Sequence, residues 1–181
     1  MYEKFGQFID GKWQVSSNKE TYEVINPANE EVIGLASKAT PEDVGRALKS
    51  AEKGLEIWKK TSPWKRSSVI RKIADLIRAK QDVLAKWITL EVGKPFPEGK
   101  GEVGATADIF EWNSEETKRI YGQTVESRFE DTRIHVYYQP IGVVAAMSPW
   151  NFPLVLSGRK ISTALAAGCS VIIKPDVIAP G

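Results

Sequence analysis

The sequence predicts an α/β fold with a parallel strand–helix–strand unit, and three features lead to this prediction. Two short apolar runs, 141–147 and 170–174, are rich in β-branched residues, as expected for strands that are covered on both faces. Residues 152–167 follow the spacing of an amphipathic helix, and Gly168 is suited to end it. The segment 134–173 carries only two full charges, although charged residues make up 27% of the chain. We therefore expect this segment to lie in the interior.

The N-terminal 40 residues predict short strands. Phe8-Ile9 and Trp13 flank a turn signal at Asp10-Gly11, and residues 22–25 precede a second turn signal at Asn26-Pro27. This region is therefore expected to form β-structure before the first helix begins.

Three helices are predicted in the middle of the chain. Thr40-Pro41 and Ser62-Pro63 each place a capping side chain before a proline that suits the first helical position. The second helix carries one apolar stripe that continues to Ile88, and a third helix is expected over 102–121. Residues 133–139 then alternate apolar and polar side chains, which predicts a half-exposed strand.

Composition and charge exclude several classes of function. A net charge of +2 provides no global field for nucleic acid, and the basic helices lack interleaved exposed aromatics. One Cys and one His are too few for an intrachain zinc site, and a single thiol cannot form an internal disulfide. No apolar run approaches the roughly 18 residues that cross a bilayer, and no signal peptide is recognisable. We predict a cytoplasmic protein that contacts neither nucleic acid nor membrane.

Charge is unevenly distributed along the chain. Residues 44–90 contain twelve basic and four acidic side chains, whereas residues 91–131 contain five basic and ten acidic ones. Opposite charges favour packing of these segments against each other or against a second subunit. Two solvent-exposed helix faces are the alternative.

Three candidate groups are given structural interpretations. The G-x-G-x-x-G pattern at 99–104 does not follow a buried strand, so we interpret it as a flexible helix start rather than a dinucleotide site. Cys169 has no basic neighbour in sequence and is more readily a buried small hydrophobe than a nucleophile. His135 is more readily a surface or interface residue than a catalytic base.

The break after the first apolar run is the strongest candidate site. Ser148-Pro149-Trp150-Asn151 lies beyond the carboxyl end of a predicted strand, where open α/β sheets bind ligands. The Asn151 amide could donate to an oxyanion, or its side chain could cap the following helix. Lys174 ends the second run at the same edge, where its ammonium suits a ribose or phosphate oxygen or is an ordinary strand-end charge.

Several motifs, in this order and spacing, resemble the aldehyde dehydrogenase superfamily. They cover nearly the whole chain: FIDGKW at 8–13, NPA at 26–28, EVGKP at 91–95, EW at 111–112, KRIYG at 118–122, MSPWNFP at 147–153, ALAAGC at 164–169 and VIIKP at 171–175. Within the superfamily, residues 111–122 and Gly158-Arg159-Lys160 most resemble the succinate-semialdehyde dehydrogenase branch.

The resemblance implies oxidation of an aldehyde, by this branch a semialdehyde, to a carboxylic acid with NAD or NADP. In the family a Cys thiolate adds to the carbonyl, hydride passes to the nicotinamide, and a Glu-activated water cleaves the thioester. Asn151 matches the oxyanion-stabilising asparagine. Arg159 matches the arginine that pairs with the far carboxylate of a semialdehyde, a role that suits a guanidinium.

The resemblance also implies a cofactor cleft formed by two strand ends. The matching residues are Ser148, Pro149, Trp150 and Asn151 after the first strand and Lys174, Pro175, Asp176 and Val177 at the second. Lys174 matches the lysine that bonds the adenine ribose. Family members specific for NAD often carry Glu where this chain has Val177, which cannot accept a hydrogen bond, so both NAD and NADP stay open.

The expected organisation has three parts. Residues 1–122 would form N-terminal strands and helices of the cofactor-binding domain, 123–140 an oligomerisation β-arm, and 141–181 the first βαβ unit of a Rossmann-like sheet. A single βαβ unit leaves a sheet edge and face uncovered, so we expect an incomplete aldehyde dehydrogenase-like fold.

The family's nucleophilic Cys and general-base Glu would lie beyond residue 181, and Cys169 matches a packing position. The 181 residues alone are therefore expected to be inactive, although the family is one of enzymes. A homo-oligomer with a small-molecule aldehyde as substrate is the first hypothesis. The alternative is a non-catalytic assembly module, which the charge reversal and the uncovered sheet favour.

Overall fold

The chain begins with two antiparallel hairpins, continues through four helices and a third hairpin, and ends in a parallel βαβ unit. The computed structural model describes residues 6–181. Within this range the elements are β1 (Gln7–Ile9), β2 (Lys12–Gln14), β3 (Thr21–Ile25), β4 (Val32–Ser37), α1 (Pro41–Trp58), α2 (Pro63–Ala79), α3 (Gln81–Val92), α4 (Phe96–Glu116), a 3₁₀ turn (Thr117–Arg119), β5 (Gln123–Glu126), β6 (Arg133–Val136), β7 (Val143–Met147), α5 (Pro153–Ala166) and β8 (Ser170–Lys174).

The N-terminal hairpins and the first helix start agree with the local sequence signals. Phe8 of β1 pairs with Trp13 of β2 across the predicted turn, where Asp10 and Gly11 both have positive φ, of 55° and 75°. β3 forms as predicted and pairs with β4. At the start of α1 the Thr40 side chain accepts a hydrogen bond from the Asp43 N–H, and the Asp43 carboxylate accepts one from the Thr40 N–H. These two bonds form a capping box.

The predicted second helix is wrong in one respect, because it is two helices. The chain turns at Lys80, which has φ −106° and ψ 17°, and α3 begins at Gln81. The Gln81 amide donates a 3.1 Å hydrogen bond to the Lys100 carbonyl of α4. Both helices pack their apolar residues on α4. The spacing of apolar residues therefore continues across the corner, and the sequence pattern does not reveal that the helix ends there.

The predicted third helix is also misplaced at both ends. α4 begins at Phe96 rather than at residue 102, and it gives way at Thr117 to a 3₁₀ turn. The glycines of 99–104 therefore lie inside a helix and are not a flexible start. A Cβ at Gly99 would lie 3.1 Å from the Ala85 carbonyl oxygen, so close contact with α3 accounts for this glycine.

α4 is the central helix, since it contacts α2, α3 and α5. The buried apolar residues at these contacts are Ile70 and Ala74 of α2, Ala85 and Ile88 of α3, Val103 and Phe110 of α4, and Ala166 of α5. Within residues 6–181, two of the three buried apolar clusters therefore include residues of this helix.

The opposite charges of neighbouring segments meet within the chain. Arg71 of α2 pairs with Glu111 of α4 at 2.9 Å, and Arg78 pairs with Asp108 at 2.8 Å and with Glu111. Lys100 of α4 also pairs with Asp82 of α3 at 2.7 Å. The first interpretation of the charge pattern, packing of the basic segment against the acidic one, is confirmed for α2 and α4, whereas the pair between Lys100 and Asp82 has the charges reversed.

The βαβ unit is confirmed. β7 and β8 are parallel, with register from Val143↔Ser170 to Met147↔Lys174, and α5 ends where Gly168 adopts a φ of 86°. The expected burial of both strand faces is wrong for several positions: Met147 is 69% exposed and Ile173 38%. Within residues 6–181, β7 and β8 pair only with each other, so side chains at their carboxyl ends have few neighbours.

The third hairpin is shorter and more exposed than the sequence predicts. β6 covers Arg133–Val136, pairs with β5, and all of its residues are exposed. Its His135 ring contacts the Thr124 hydroxyl at 3.1 Å. Between residues 6 and 181, no helix combines the length and apolar character needed to span a bilayer.

Candidate active site

The two predicted strand-end segments lie at one edge of the sheet. Met147 pairs with Lys174, and the Ser148 backbone N–H donates a 3.3 Å hydrogen bond to the Lys174 carbonyl. The Lys160 ammonium of α5 donates to the Met147 carbonyl at 2.7 Å and to the Ser148 hydroxyl at 3.4 Å. The structure thus brings residues 148–151 and 174–177 together. Lys160 of α5 holds the start of the segment 148–151 through these hydrogen bonds.

A cavity of about 430 Å³ lies beside this edge. Trp150 and Val177 line it together with Tyr22, Ile25 and Glu91. The last three come from β3 and α3, which the sequence analysis did not assign to the site. The NPA motif directly follows Ile25, and Glu91 is the first residue of the EVGKP motif, so these two motifs were the sequence features that could have indicated the cavity.

Two groups in the cavity wall have shifted pKa values. Burial raises the pKa of Glu91 to about 7, and a 3.0 Å hydrogen bond from the Gly181 N–H opposes the shift. The pKa of Tyr22 is raised by burial and, secondarily, by the charge of Asp176, which lies near it. The Asp176 carboxylate also accepts a 3.0 Å hydrogen bond from the Ile178 N–H, which shapes the turn after β8.

Asn151 is exposed, and its side-chain amide makes no hydrogen bond to any residue from 6 to 181. The alternative that Asn151 caps the helix is wrong, because Phe152 occupies the cap position and α5 has no side-chain cap of its own. Instead, Glu102 of α4 accepts hydrogen bonds from the N–H groups of Leu154 at 2.9 Å and Val155 at 3.2 Å. A carboxylate from another helix therefore leaves the carboxamide of Asn151 free.

Lys94 joins this arrangement from the segment before α4. Its ammonium pairs with Glu102, donates a 3.1 Å hydrogen bond to the Asn151 backbone carbonyl, and lies 3.7 Å from the centre of the Phe152 ring. The Lys94 and Glu102 side chains are 11% and 1% exposed. The sequence analysis did not single out either residue, although Lys94 belongs to the EVGKP motif.

Arg159 lies between one and two turns into α5 and is exposed. Its carbonyl accepts from the Thr163 hydroxyl at 2.8 Å, but its guanidinium forms no ion pair among the residues that the structure describes. The structure records no contact between Arg159 and Asn151. Lys174 and Val177 are both exposed at the sheet edge, and Pro175 is half-buried between them.

Cys169 is a free thiol that is 3% exposed. It follows the glycine that ends α5, and Arg66 packs against that glycine: a Cβ at Gly168 would lie 3.2 Å from Arg66 Nη1. The buried position agrees with the packing interpretation. Among the described residues, no three His, Cys, Asp or Glu side chains lie close enough together to hold a metal ion.

A βαβ unit with a polar loop and a cavity at the carboxyl ends of its strands defines the class of α/β domains whose ligands bind at that edge. The sequence profile described as "Aldehyde dehydrogenase family" matches residues 13–181. The chain belongs to the aldehyde dehydrogenase family, and the resemblance seen in its motifs is confirmed.

Three known proteins illustrate this relationship. Glutarate-semialdehyde dehydrogenase of Pseudomonas aeruginosa is 44% identical over 168 residues, which are 93% of this chain and 35% of that protein. Succinate-semialdehyde dehydrogenase [NADP(+)] of Escherichia coli is 41% identical over 167 residues, 92% of this chain and 35% of that protein. Betaine aldehyde dehydrogenase of Staphylococcus aureus, solved in complex with NAD⁺, has a TM-score of 0.94 at 36% identity and matches 97% of this chain and 35% of its own. The chain spans about a third of the length of these relatives.

Proposed function

We propose that this chain supplies the oxyanion-binding amide and part of the cofactor cleft of an enzyme that oxidises a semialdehyde to a carboxylic acid with NAD or NADP. One observation carries the proposal: the exposed, unpaired carboxamide of Asn151 lies in the loop that follows β7, and the end of β7 pairs with Lys174 of β8. In the same proposal residues 1–122 belong to the cofactor-binding domain, 123–140 form an oligomerisation arm, and 141–181 form the first βαβ unit of the dinucleotide-binding sheet.

Asn151 would donate a hydrogen bond to the aldehyde oxygen as negative charge develops on it. A neutral amide supplies this stabilisation at any pH at which the enzyme is folded. The Glu102 contacts to the start of α5 support this role, since they remove the need for Asn151 to cap the helix.

The residues at the two strand ends fit a dinucleotide cofactor. Lys174 has an exposed ammonium with no ion-pair partner between residues 6 and 181, and it would bond the adenine ribose, with Pro175 and Asp176 beside it. Ser148, Pro149 and Trp150 would line the cleft. When bound, the nicotinamide accepts the hydride that leaves the substrate. The E. coli relative is named for NADP(+) and the S. aureus structure contains NAD⁺, so the family provides examples of both.

Arg159 supports a substrate with a second carboxylate. Its exposed guanidinium is unpaired among the described residues and could form a bidentate pair with the far end of a semialdehyde. The names of the Pseudomonas and E. coli relatives agree with this substrate class. Arg159→Ala in the active enzyme should raise KM for carboxylated aldehydes and leave KM for uncharged aldehydes nearly unchanged.

The attacking thiolate would come from outside these 181 residues. Cys169 is the single thiol in the sequence, and it is buried beside the glycine that ends α5. We therefore propose that the 181-residue chain does not turn over aldehydes by itself, and that the active enzyme is a cytoplasmic homo-oligomer.

The alternative function is a non-catalytic assembly module. The fully exposed β5–β6 hairpin favours it, because apolar side chains such as Val125 and Ile134 are exposed there. Neither nucleic acid nor a membrane is proposed as a partner.

Cofactor titration separates the two functions. NAD⁺ and NADP⁺ are added separately to the protein while its tryptophan fluorescence is measured. We expect a saturable change with at least one cofactor, lost in Trp150→Phe but kept in Trp64→Phe, because Trp150 lines the cavity and Trp64 lies on the exposed face of α2. Absence of a saturable change with both cofactors would favour the assembly module.

The role of Asn151 is tested by kinetics. In the active enzyme that contains these residues, Asn151→Ala should lower kcat by roughly a hundredfold or more, as expected for loss of one oxyanion donor. A near-normal kcat would remove the proposed role.

A further inference from the structure

The strand–helix break is held by groups that lie far away in sequence. The Glu102 carboxylate of α4 accepts hydrogen bonds from the N–H groups of Leu154 and Val155, and α5 has no side-chain cap of its own. A carboxylate at a helix N-terminus also interacts favourably with the helix dipole. Glu102 by itself would thus explain a capped α5, but it does not reach Asn151.

Lys94 extends the arrangement to Asn151. Its ammonium pairs with Glu102 and also donates to the Asn151 carbonyl at 3.1 Å, and it lies over the Phe152 ring. A buried ion pair needs further polar contacts to offset its desolvation; the Asn151 carbonyl accepts a hydrogen bond from Lys94, and the Phe152 ring makes a cation–π contact with it. Lys94 therefore contacts Asn151 and Phe152, and Glu102 contacts Leu154 and Val155.

The backbone contact determines where the carboxamide can go. The Asn151 side chain makes no hydrogen bond within residues 6–181, so its position depends on the peptide that carries it. We propose that Lys94 and Glu102 are a positioning pair that fixes the Asn151 backbone and so aims its amide at the substrate oxygen. This inference rests on the proposed function of Asn151. A misplacement of about 1 Å can cost a hundredfold in rate.

The test uses variants that avoid leaving a buried charge unpaired. Lys94→Met alone strands the Glu102 carboxylate and can prevent folding. The double variant Lys94→Met/Glu102→Gln keeps an acceptor for the Leu154 and Val155 N–H groups and removes the contact to Asn151. Lys100→Met is the matched control, because Lys100 pairs with exposed Asp82 and does not touch the break.

In the active enzyme, the double variant should lower kcat by roughly tenfold or more, with KM for the cofactor changed less than about twofold. Lys100→Met should keep the wild-type kcat. Hydrogen exchange at the Leu154 and Val155 amides should stay slow in the double variant, because Glu102→Gln keeps an acceptor for both.

A kinetic cycle with Asn151→Ala shows through which residue the pair acts. If the pair positions Asn151, the double variant should cause little further loss of kcat in the Asn151→Ala background. An equal loss in both backgrounds, or a wild-type kcat for the double variant, would overturn the positioning role while leaving the function of Asn151 intact. A normal kcat for Asn151→Ala alone would overturn the proposed function, and the positioning role with it.

Discussion

Gly158 of α5 lies directly against Thr106 of α4: a Cβ at Gly158 would stand 2.6 Å from Thr106 Cγ2 and 3.2 Å from a ring carbon of Phe110. Both neighbours are buried, so neither can move away easily. This contact sets the distance between α5, which carries Arg159, and the central helix of the fold.

Gly158→Ala should destabilise the protein by about 1–3 kcal/mol, because the added methyl overpacks the α4–α5 contact. Urea unfolding measures the loss. Gly101→Ala is the matched control: a Cβ there would meet nothing within 4 Å, so the substitution should stabilise α4 by about 0.5–1 kcal/mol. Equal effects of the two variants would contradict the packing explanation.

Asp43 should make stability fall in acid. Burial raises the pKa of Asp43, but hydrogen bonds from the Thr40 N–H, Arg46, Gln7 and the Ser17 N–H outweigh it and leave the pKa well below the ordinary 3.8. The stabilisation is therefore complete above about pH 4 and is lost as the pH falls further. Urea unfolding between pH 7 and pH 2.5 should show the stability difference between wild type and Asp43→Asn narrowing below pH 4. A difference that stays constant over this range would show that the carboxylate charge is not the cause.

Val177→Glu should shift cofactor preference toward NAD. Val177 lies at the cavity beside Trp150, and the new carboxylate would accept hydrogen bonds from ribose hydroxyls and repel the 2′-phosphate of NADP. The measurement is the ratio of the dissociation constants for NAD⁺ and NADP⁺, obtained from tryptophan fluorescence. Val177→Gln controls for size without charge and should change the ratio less. An unchanged ratio in Val177→Glu would mean that this position does not face the ribose.

Glu111→Gln should weaken the α2–α4 contact modestly. Glu111 pairs with both Arg71 and Arg78, but all three side chains are at least one-third exposed, so we expect a loss of about 1 kcal/mol or less. The loss should shrink in 1 M NaCl, because salt screens exposed charges. Glu130→Gln, at a position with no ion pair within residues 6–181, should have no measurable effect at either salt concentration. A salt-independent loss for Glu111→Gln would point to packing instead.

Local signals in the sequence predicted those features that depend on neighbouring residues. The Thr40 helix cap, the Asp10-Gly11 turn and the Gly168 helix end all formed where the sequence indicated them. The βαβ order was predicted as well, because apolar runs and helical spacing are properties of short segments. The two strand ends were therefore recognisable as neighbours before their geometry was known.

Long-range packing decided the features that the sequence analysis missed. The corner at Lys80 and the early start of α4 allow α2, α3 and α4 to pack together. Neither feature breaks the spacing of apolar residues in the sequence, so neither was predicted. The alternative in which Asn151 caps the helix was wrong because the cap comes from Glu102, 52 residues before Leu154.

The sequence by itself determined the family, the strand–helix–strand order of the βαβ unit and the residues at the two strand ends, since motifs, turns and periodicity act over a few residues. The tertiary structure alone decided that Lys94, 57 residues before Asn151, holds its carbonyl, and that Tyr22 and Glu91 share a cavity with Trp150. The physical reason is that hydrogen bonds and packing contacts form between groups that are close in space. The residues next to either partner in the sequence do not indicate which distant group will be close to it.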